Sequence, residues 1–172
     1  DGTCERLKVS LGSLIIGDSG IEKNTQGILS ELKNNALKSI EVIVKHNSNF
    51  RIHDAKKQDF YDLRKNLPFE LHPYFYAAIF NHEITQNALL ELKNPVPDMK
   101  KIANLVNVHQ EILDKKLKNT PQEMIYMMNA AKNAGASAVK IVGSGGGGCF
   151  FAMTEAQSEQ KVIDSIIEAG AK

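Results

Sequence analysis

Cysteine is scarce, with two residues in 172, and Cys4 and Cys149 stand too far apart for the spacings of a metal finger or a redox pair. So thin a cysteine supply suits a reducing compartment, and a cytoplasmic protein is expected. An excess of either charge is also missing. Lysine and arginine number 21 against 20 acidic residues, a net charge of +1, so nothing draws the whole chain to nucleic acid or to a membrane surface. No apolar run reaches membrane-spanning length, and no charged-then-apolar leader opens the sequence. A soluble protein, unprocessed by secretion, is the expectation. His46 and His53 have no acidic partners at ligand spacing, so no metal site is expected. An initiating methionine is absent too. The sequence opens "DGTCERLKVS" and is read as a piece of something longer.

What is present is core material. A 42% hydrophobic share over 172 residues fits one domain, residues 1–172, with one core. In "LGSLIIGDSG" the apolar run Leu14 to Ile16 is ended by Gly17 and Asp18, a strand that delivers Asp18 and Ser19 to a loop. With Asn24 or Thr25 as N-cap, Leu29, Leu32, Ala36, Ile40 and Ile43 recur at helical steps, which predicts a long amphipathic helix. A short helix around Phe60 to Leu63 and a stop at Pro68 follow. Tyr74 to Leu92 suits a second long helix, ended by the prolines of "KNPVPD". Asp98 caps a third, with Met99, Ile102, Leu105, Val106, Ile112 and Leu113 as its buried stripe.

"TPQE" then reads as a capping box, with Thr120 as N-cap, Pro121 at the first helical position and Glu123 closing it, ahead of a helix that ends near Gly135. A second box, Thr154 to Gln157, opens a last helix that packs Val162, Ile163, Ile166 and Ile167 and stops at Gly170. One strand, four or five helices, two strands and a helix make an α+β order. Several polar or reactive side chains fall into packing roles. His109 shares the stripe of Leu105 and Ile112, His82 and Glu83 are helix neighbours that face apart, and Met124, Met127 and Met128 fill the core.

The two late strands flank "AVKIVGSGGGGCFFAM", residues 138–153, where four consecutive glycines are anchored by apolar residues on both sides, unlike a linker. Gly143, Gly145 and Gly148 satisfy G-x-G-x-x-G, but the dinucleotide fingerprint needs a helix directly after the glycines, and "CFFAM" is a strand pattern. No Gly-Lys-Ser/Thr closes a Walker loop. What remains is a loop whose bare N–H groups can approach a phosphate or another backbone, or else a hairpin turn that lets two strands pack. Four glycines in a row cost more folding entropy than a hairpin needs. Lys140 lies on the strand ahead of the loop, on the face of Val142, as a solvated lysine or as part of the site.

Three segments carry a resemblance. "NAGASAVKIVGSGGGGCFFAM" resembles the third signature motif of the GHMP small-molecule kinases, which include galactokinase, homoserine kinase and mevalonate kinase. "LVNVHQEILDKKLKNTPQEMIYMMNAAKNAGA" is similar to the helix pair ahead of that motif, and "LIIGDSGIEKNTQGIL" to the strand and turn before the first helix of the C-terminal domain. The resemblance implies a GHMP C-terminal domain of ferredoxin-like fold, a small antiparallel sheet packed with several helices. It implies an active-site loop of Gly143, Ser144, Gly145, Gly146, Gly147 and Gly148, with Asp18, Ser19, Thr25 and Lys140 close to the acceptor. ATP and Mg2+ would be bound mainly by an N-terminal domain, which also holds the catalytic residue. No catalytic residue is assigned to this chain, which alone is expected to be inactive. A sugar acceptor is expected, with mevalonate as the alternative and a non-catalytic binding domain as the competing class. One departure is Val142, where these kinases usually carry threonine. The surface that would face the N-terminal domain is expected to be apolar and to favour a homodimer.

Overall fold

The computed structural model describes residues 5–7, 9–23 and 25–172, with backbone alone at positions 25 and 26. Cys4 and Asn24, and with Asn24 one of the two readings of the first N-cap, lie outside the described residues. Three strands, β1 (Ser13–Asp18), β2 (Ala138–Ile141) and β3 (Cys149–Thr154), form an antiparallel sheet in the order β1-β3-β2. The helices α1 (Thr25–His46), α2 (Lys57–Leu63), α3 (His72–Leu92), α4 (Met99–Lys115) and α5 (Gln122–Ala134) intervene between β1 and β2, and α6 (Glu159–Glu168) follows β3. This is the expected α+β fold with a small antiparallel sheet.

The period-two alternation of each strand sorts its side chains onto two faces. Register pairs Ile15 with Ala152 and Val139, and Gly17 with Phe150 and Ile141. That face packs on α5 and α6 through Met124, Met128, Ala131, Val162 and Ile166. A Cβ at Gly17 would fall 2.5 Å from the ring of the fully buried Phe150, so the glycine makes the space that Phe150 fills. On the other face Ala138 and Met153 meet Ile102 and Ala103 of α4. The remaining helices build a separate core around Ile43, Phe60, Phe75, Ile79 and Ile112, with Tyr76 stacked on Phe80 at 3.8 Å between ring centroids.

Helix ends show where local signals decide and where tertiary contacts do. Asp98 Oδ1 accepts from Lys100 N at 2.9 Å and Lys101 N at 3.2 Å, the cap its position predicts. Glu91 braces the same turn: its carboxylate accepts from Asp98 N, Asn94 Nδ2 and Lys101 Nζ. The hydrogen bond from Lys101 first, then those from Asp98 and Asn94, pulls its pKa down to about 2. Thr120, by contrast, is no cap. It is buried, its Oγ1 accepts from Gln110 Nε2 at 3.0 Å, and α5 begins after Pro121 with no side-chain cap. Thr154 is likewise the buried last residue of β3 and not the start of a box, and α6 begins only at Glu159 after a short 3-10 turn. Leu29 and Ile167, expected in the core, are about half exposed.

The two edges of the sheet are treated differently. Along β2, Asn107 accepts from Val139 N at 3.3 Å and donates to Ser137 O at 2.8 Å, and Gln110 Oε1 accepts from Ile141 N at 2.9 Å. Along β1 no strand lies among the described residues, and only Lys172 N reaches it, donating to Asp18 O at 2.9 Å. Leu14 and Ile16 are exposed there by 49% and 60%. No helix among the described residues is long and apolar enough to cross a membrane.

Candidate functional site at the glycine loop

The segment from Val142 to Gly148 joins β2 to β3 as a wide loop, and β3 starts at Cys149. The helix that a dinucleotide fingerprint would need is therefore replaced by a strand. Gly143, Gly145, Gly146, Gly147 and Gly148 all have positive φ, from 72° to 137°. All but Gly143 also have an existing atom within 3.0 Å of where a Cβ would be. A Cβ on Gly145 would fall 2.7 Å from both Asn119 Nδ2 and Ile141 Cδ1, and one on Gly147 would fall 2.7 Å from Ile21 O. The glycines thus serve close packing as well as backbone conformation.

The loop is clamped from two sides. On one side the turn after β1 holds it: Ser19 N donates to Gly148 O at 3.0 Å, Ser19 Oγ donates to the same oxygen at 2.6 Å, and Gly148 N donates to Ile21 O at 3.0 Å. Ser19 Oγ also accepts from Ile21 N at 3.2 Å, and Asp18 Oδ1 accepts from Gly20 N at 2.9 Å. On the other side Gly146 N donates to Asn119 O at 2.7 Å, and Asn119 Nδ2 donates to Ser144 O at 3.2 Å. The N–H groups of Gly143, Ser144, Gly145 and Gly147 have no hydrogen-bond partner among the described residues. Over this bare backbone lies Lys23, whose Nζ donates to Val142 O at 3.0 Å and sits 3.5 Å from where a Cβ on Gly143 would be. A cation beside several uncommitted amides is suited to an anion such as a phosphate.

Beyond Gly146 opens a cavity of about 580 Å³, lined by Glu31, Glu70, Tyr74, Lys116, Lys118 and Asn119 among others. Its size suits a small-molecule ligand. It presents carboxylates, ammonium groups, an amide and a phenol, with Tyr74 OH 3.4 Å from Glu31 Oε1.

Of the positions expected near the acceptor, Ser19 and Asp18 are brought to the loop, both already engaged in shaping the backbone. Thr25 opens α1, and its side chain is outside the described residues. Lys140 is not joined to the loop's amides. It pairs with Phe151, on the face opposite Ile141, and its Nζ donates to Ile141 O at 3.1 Å. Burial lowers its pKa. Burial first, and the Lys140 charge second, hold His109 down at about 4, so it is neutral near pH 7, as befits a packing histidine. Glu83, the neighbour of His82, pairs with Lys57 at 2.9 Å. The reading from sequence missed Lys23 and Asn119. Lys23 carried a faint signal as the one lysine in the turn after β1. Asn119 carried none, because its partners are 25 and 27 residues downstream.

Within an α+β domain, the hairpin loop thus brings free amides and a cation together beside a cavity. Residues 86–172 match the family of GHMP kinases, C-terminal domain, and the chain belongs to that family. Over 83 residues it is 40% identical to the mevalonate kinase of Thermococcus onnurineus (strain NA1), a match that covers 48% of this chain and 24% of that protein. The chain thus spans about a quarter of that curated relative. Lactococcus lactis galactokinase, solved in complex with galactose, superposes with a TM-score of 0.84 at 14% identity over 95% of this chain and 42% of that one. The likeness to L. major mevalonate kinase in complex with R-mevalonate is weaker, with a TM-score of 0.57 at 14% identity over 90% of this chain and 37% of that one. The Lin0012 protein of Listeria innocua lies between them at 0.67 and 17% identity, covering 98% of this chain and 39% of that one. At such identities these superpositions show the fold.

Proposed function

We propose that the kinase containing this domain transfers the γ-phosphoryl group of MgATP to a hydroxyl of a small molecule, with a sugar as acceptor. The acceptor oxygen bonds to phosphorus, the bond to the ADP oxygen breaks, and the hydroxyl proton passes to a base outside these residues. The supporting observation is the glycine loop itself, four uncommitted N–H groups and the Lys23 ammonium beside the 580 Å³ cavity. In such chemistry positioning and charge stabilisation supply most of the catalysis. The loop would close on the phosphates from one side, with the nucleotide held mainly by an N-terminal domain. No group of three acidic, histidine or cysteine side chains converges among the described residues, so no step is assigned to a metal ligand here.

A sugar reading draws on the cavity lining, since alternating carboxylate, ammonium and amide groups complement the donors and acceptors of a polyol. Mevalonate is the second reading, favoured by the 40% identity over 83 residues to the Thermococcus onnurineus enzyme. The test is ADP release by the product of the full open reading frame that contains these residues, offered D-galactose and R-mevalonate in parallel. Turnover with galactose supports the first reading and turnover with mevalonate the second. Nucleotide and acceptor binding without turnover would indicate a non-catalytic binding domain.

A further inference from the structure

Asn119 combines two features that a purely structural residue would not. It is 8% exposed, and its Oδ1 is buried with no hydrogen-bond partner among the described residues. Its other polar groups are all spent on turn and loop: N donates to Leu113 O at 3.2 Å, O accepts from Gly146 N at 2.7 Å, and Nδ2 donates to Ser144 O at 3.2 Å. Gly145 sits between those two anchored residues, pressed against the same amide. A buried acceptor left unpaired is destabilising, and native structures hold few of them without a reason.

We infer that Asn119 is a positioning residue for the glycine loop, kept for the shape it imposes on residues 144–146 and not for the stability of the fold. Its single arm, Nδ2, fixes the Ser144 carbonyl and so turns the peptide units on either side, leaving the N–H groups of Gly143, Ser144 and Gly145 uncommitted. Because Asn119 and Gly146 also wall the cavity, the residue that shapes the anion-facing backbone touches the space proposed for the acceptor. The inference rests on the phosphate-handling reading for its purpose, but the geometry it claims is testable without it.

The experiment compares the chain with its Asn119→Ala and Asn119→Asp variants by amide hydrogen exchange, by urea unfolding, and by titration with tripolyphosphate followed at the loop amides. Removing the Nδ2 donor is expected to speed exchange at Gly146 by about tenfold or more. The unfolding midpoint should stay in place or rise, since the alanine also removes the orphaned Oδ1. Tripolyphosphate should bind the parent chain and bind Asn119→Ala about tenfold more weakly, as expected for loss of loop order. Unchanged exchange at Gly146, or a fall in the midpoint that accounts for the faster exchange, overturns the inference. If both variants fail to fold, Asn119 is a stability residue and the inference is also overturned. Absence of tripolyphosphate binding to the parent chain counts against the phosphate reading alone, and Gly146 exchange still decides the role of Asn119.

Discussion

The two edges of the sheet are a natural experiment in how a strand is finished. On β2 two side chains of α4, Asn107 and Gln110, take up the backbone groups of residues 137, 139 and 141. On β1, among the described residues, the outward groups meet a single bond from Lys172. β1 pairs with β3 over six residues and β2 over four, so the shorter pairing is the one finished by side chains of the neighbouring helix. The closed edge leads directly into the glycine loop, and the same Gln110 that stops β2 also ties down Thr120 beside Asn119. Order at the loop is inherited from the closed edge, while the other leaves backbone groups of the kind that pair with a further strand.

Gln110 is where the comparison can be broken most forcefully. Gln110→Ala leaves the buried Ile141 N–H and the Thr120 hydroxyl without partners and should destabilise the domain by about 3 kcal/mol, read by urea unfolding. A loss below about 1 kcal/mol would mean that water replaces the side chain and the edge is not closed by α4. Acid should act next. The unfolded chain takes up a proton on residue 109 near pH 6.5, which half-buried His109 refuses until about 4, so stability falls as pH drops through that window. Glu91 adds a second window, since its stabilising ionised form is complete above 4.5 and is lost as pH falls towards 2. His109→Gln should flatten the first window and leave the second, as followed by thermal unfolding across pH.

A smaller effect is expected in the turn that supports the closed edge. Lys118 holds φ at 50°, the described non-glycine residue on the left-handed side, and Lys118→Gly should raise stability by about 0.5 kcal/mol, the strain relieved less the entropy of glycine. Smallest in stability is Ile16→Lys on the open edge, expected to stay within about 0.5 kcal/mol. It sharpens the comparison through mass: light scattering at high concentration should show the parent chain associating and the variant monomeric. A parent chain that remains monomeric would show that β1 does not recruit a second copy.

Much of this architecture was legible because it is written locally. The strand of Leu14 to Ile16, the cap at Asp98 and the stripe of α4 follow from spacing and side-chain chemistry within a few residues. Thr120 failed as a cap because Gln110, ten residues earlier and on the preceding helix, claims its hydroxyl. Thr154 failed because its strand partner Ser13 lies at the other end of the chain. The candidate site divides in the same way. Its glycines were conspicuous, whereas Asn119 and Lys23 act on the loop across 25 and 119 residues of sequence, a distance over which no periodicity speaks. Lys140, placed near the acceptor by the resemblance, lies on the strand face that alternation predicts and spends its ammonium on Ile141 O.

The glycine loop also limits how this protein can drift over generations. Each single-base change in a glycine codon that keeps the chain going, other than a silent one, installs a side chain of L configuration. At Gly145, Gly146, Gly147 and Gly148 the place that Cβ would occupy lies within 3.0 Å of an existing atom, so a newcomer meets both a wrong-handed backbone and a filled volume. Gly143 differs: the nearest atom to its Cβ position is Lys23 Nζ at 3.5 Å. Aspartate, one base away and tolerant of left-handed backbone, would set its carboxylate against that ammonium. Lineages of this domain should therefore record their variation in the loop at its first glycine, and almost nowhere else in it.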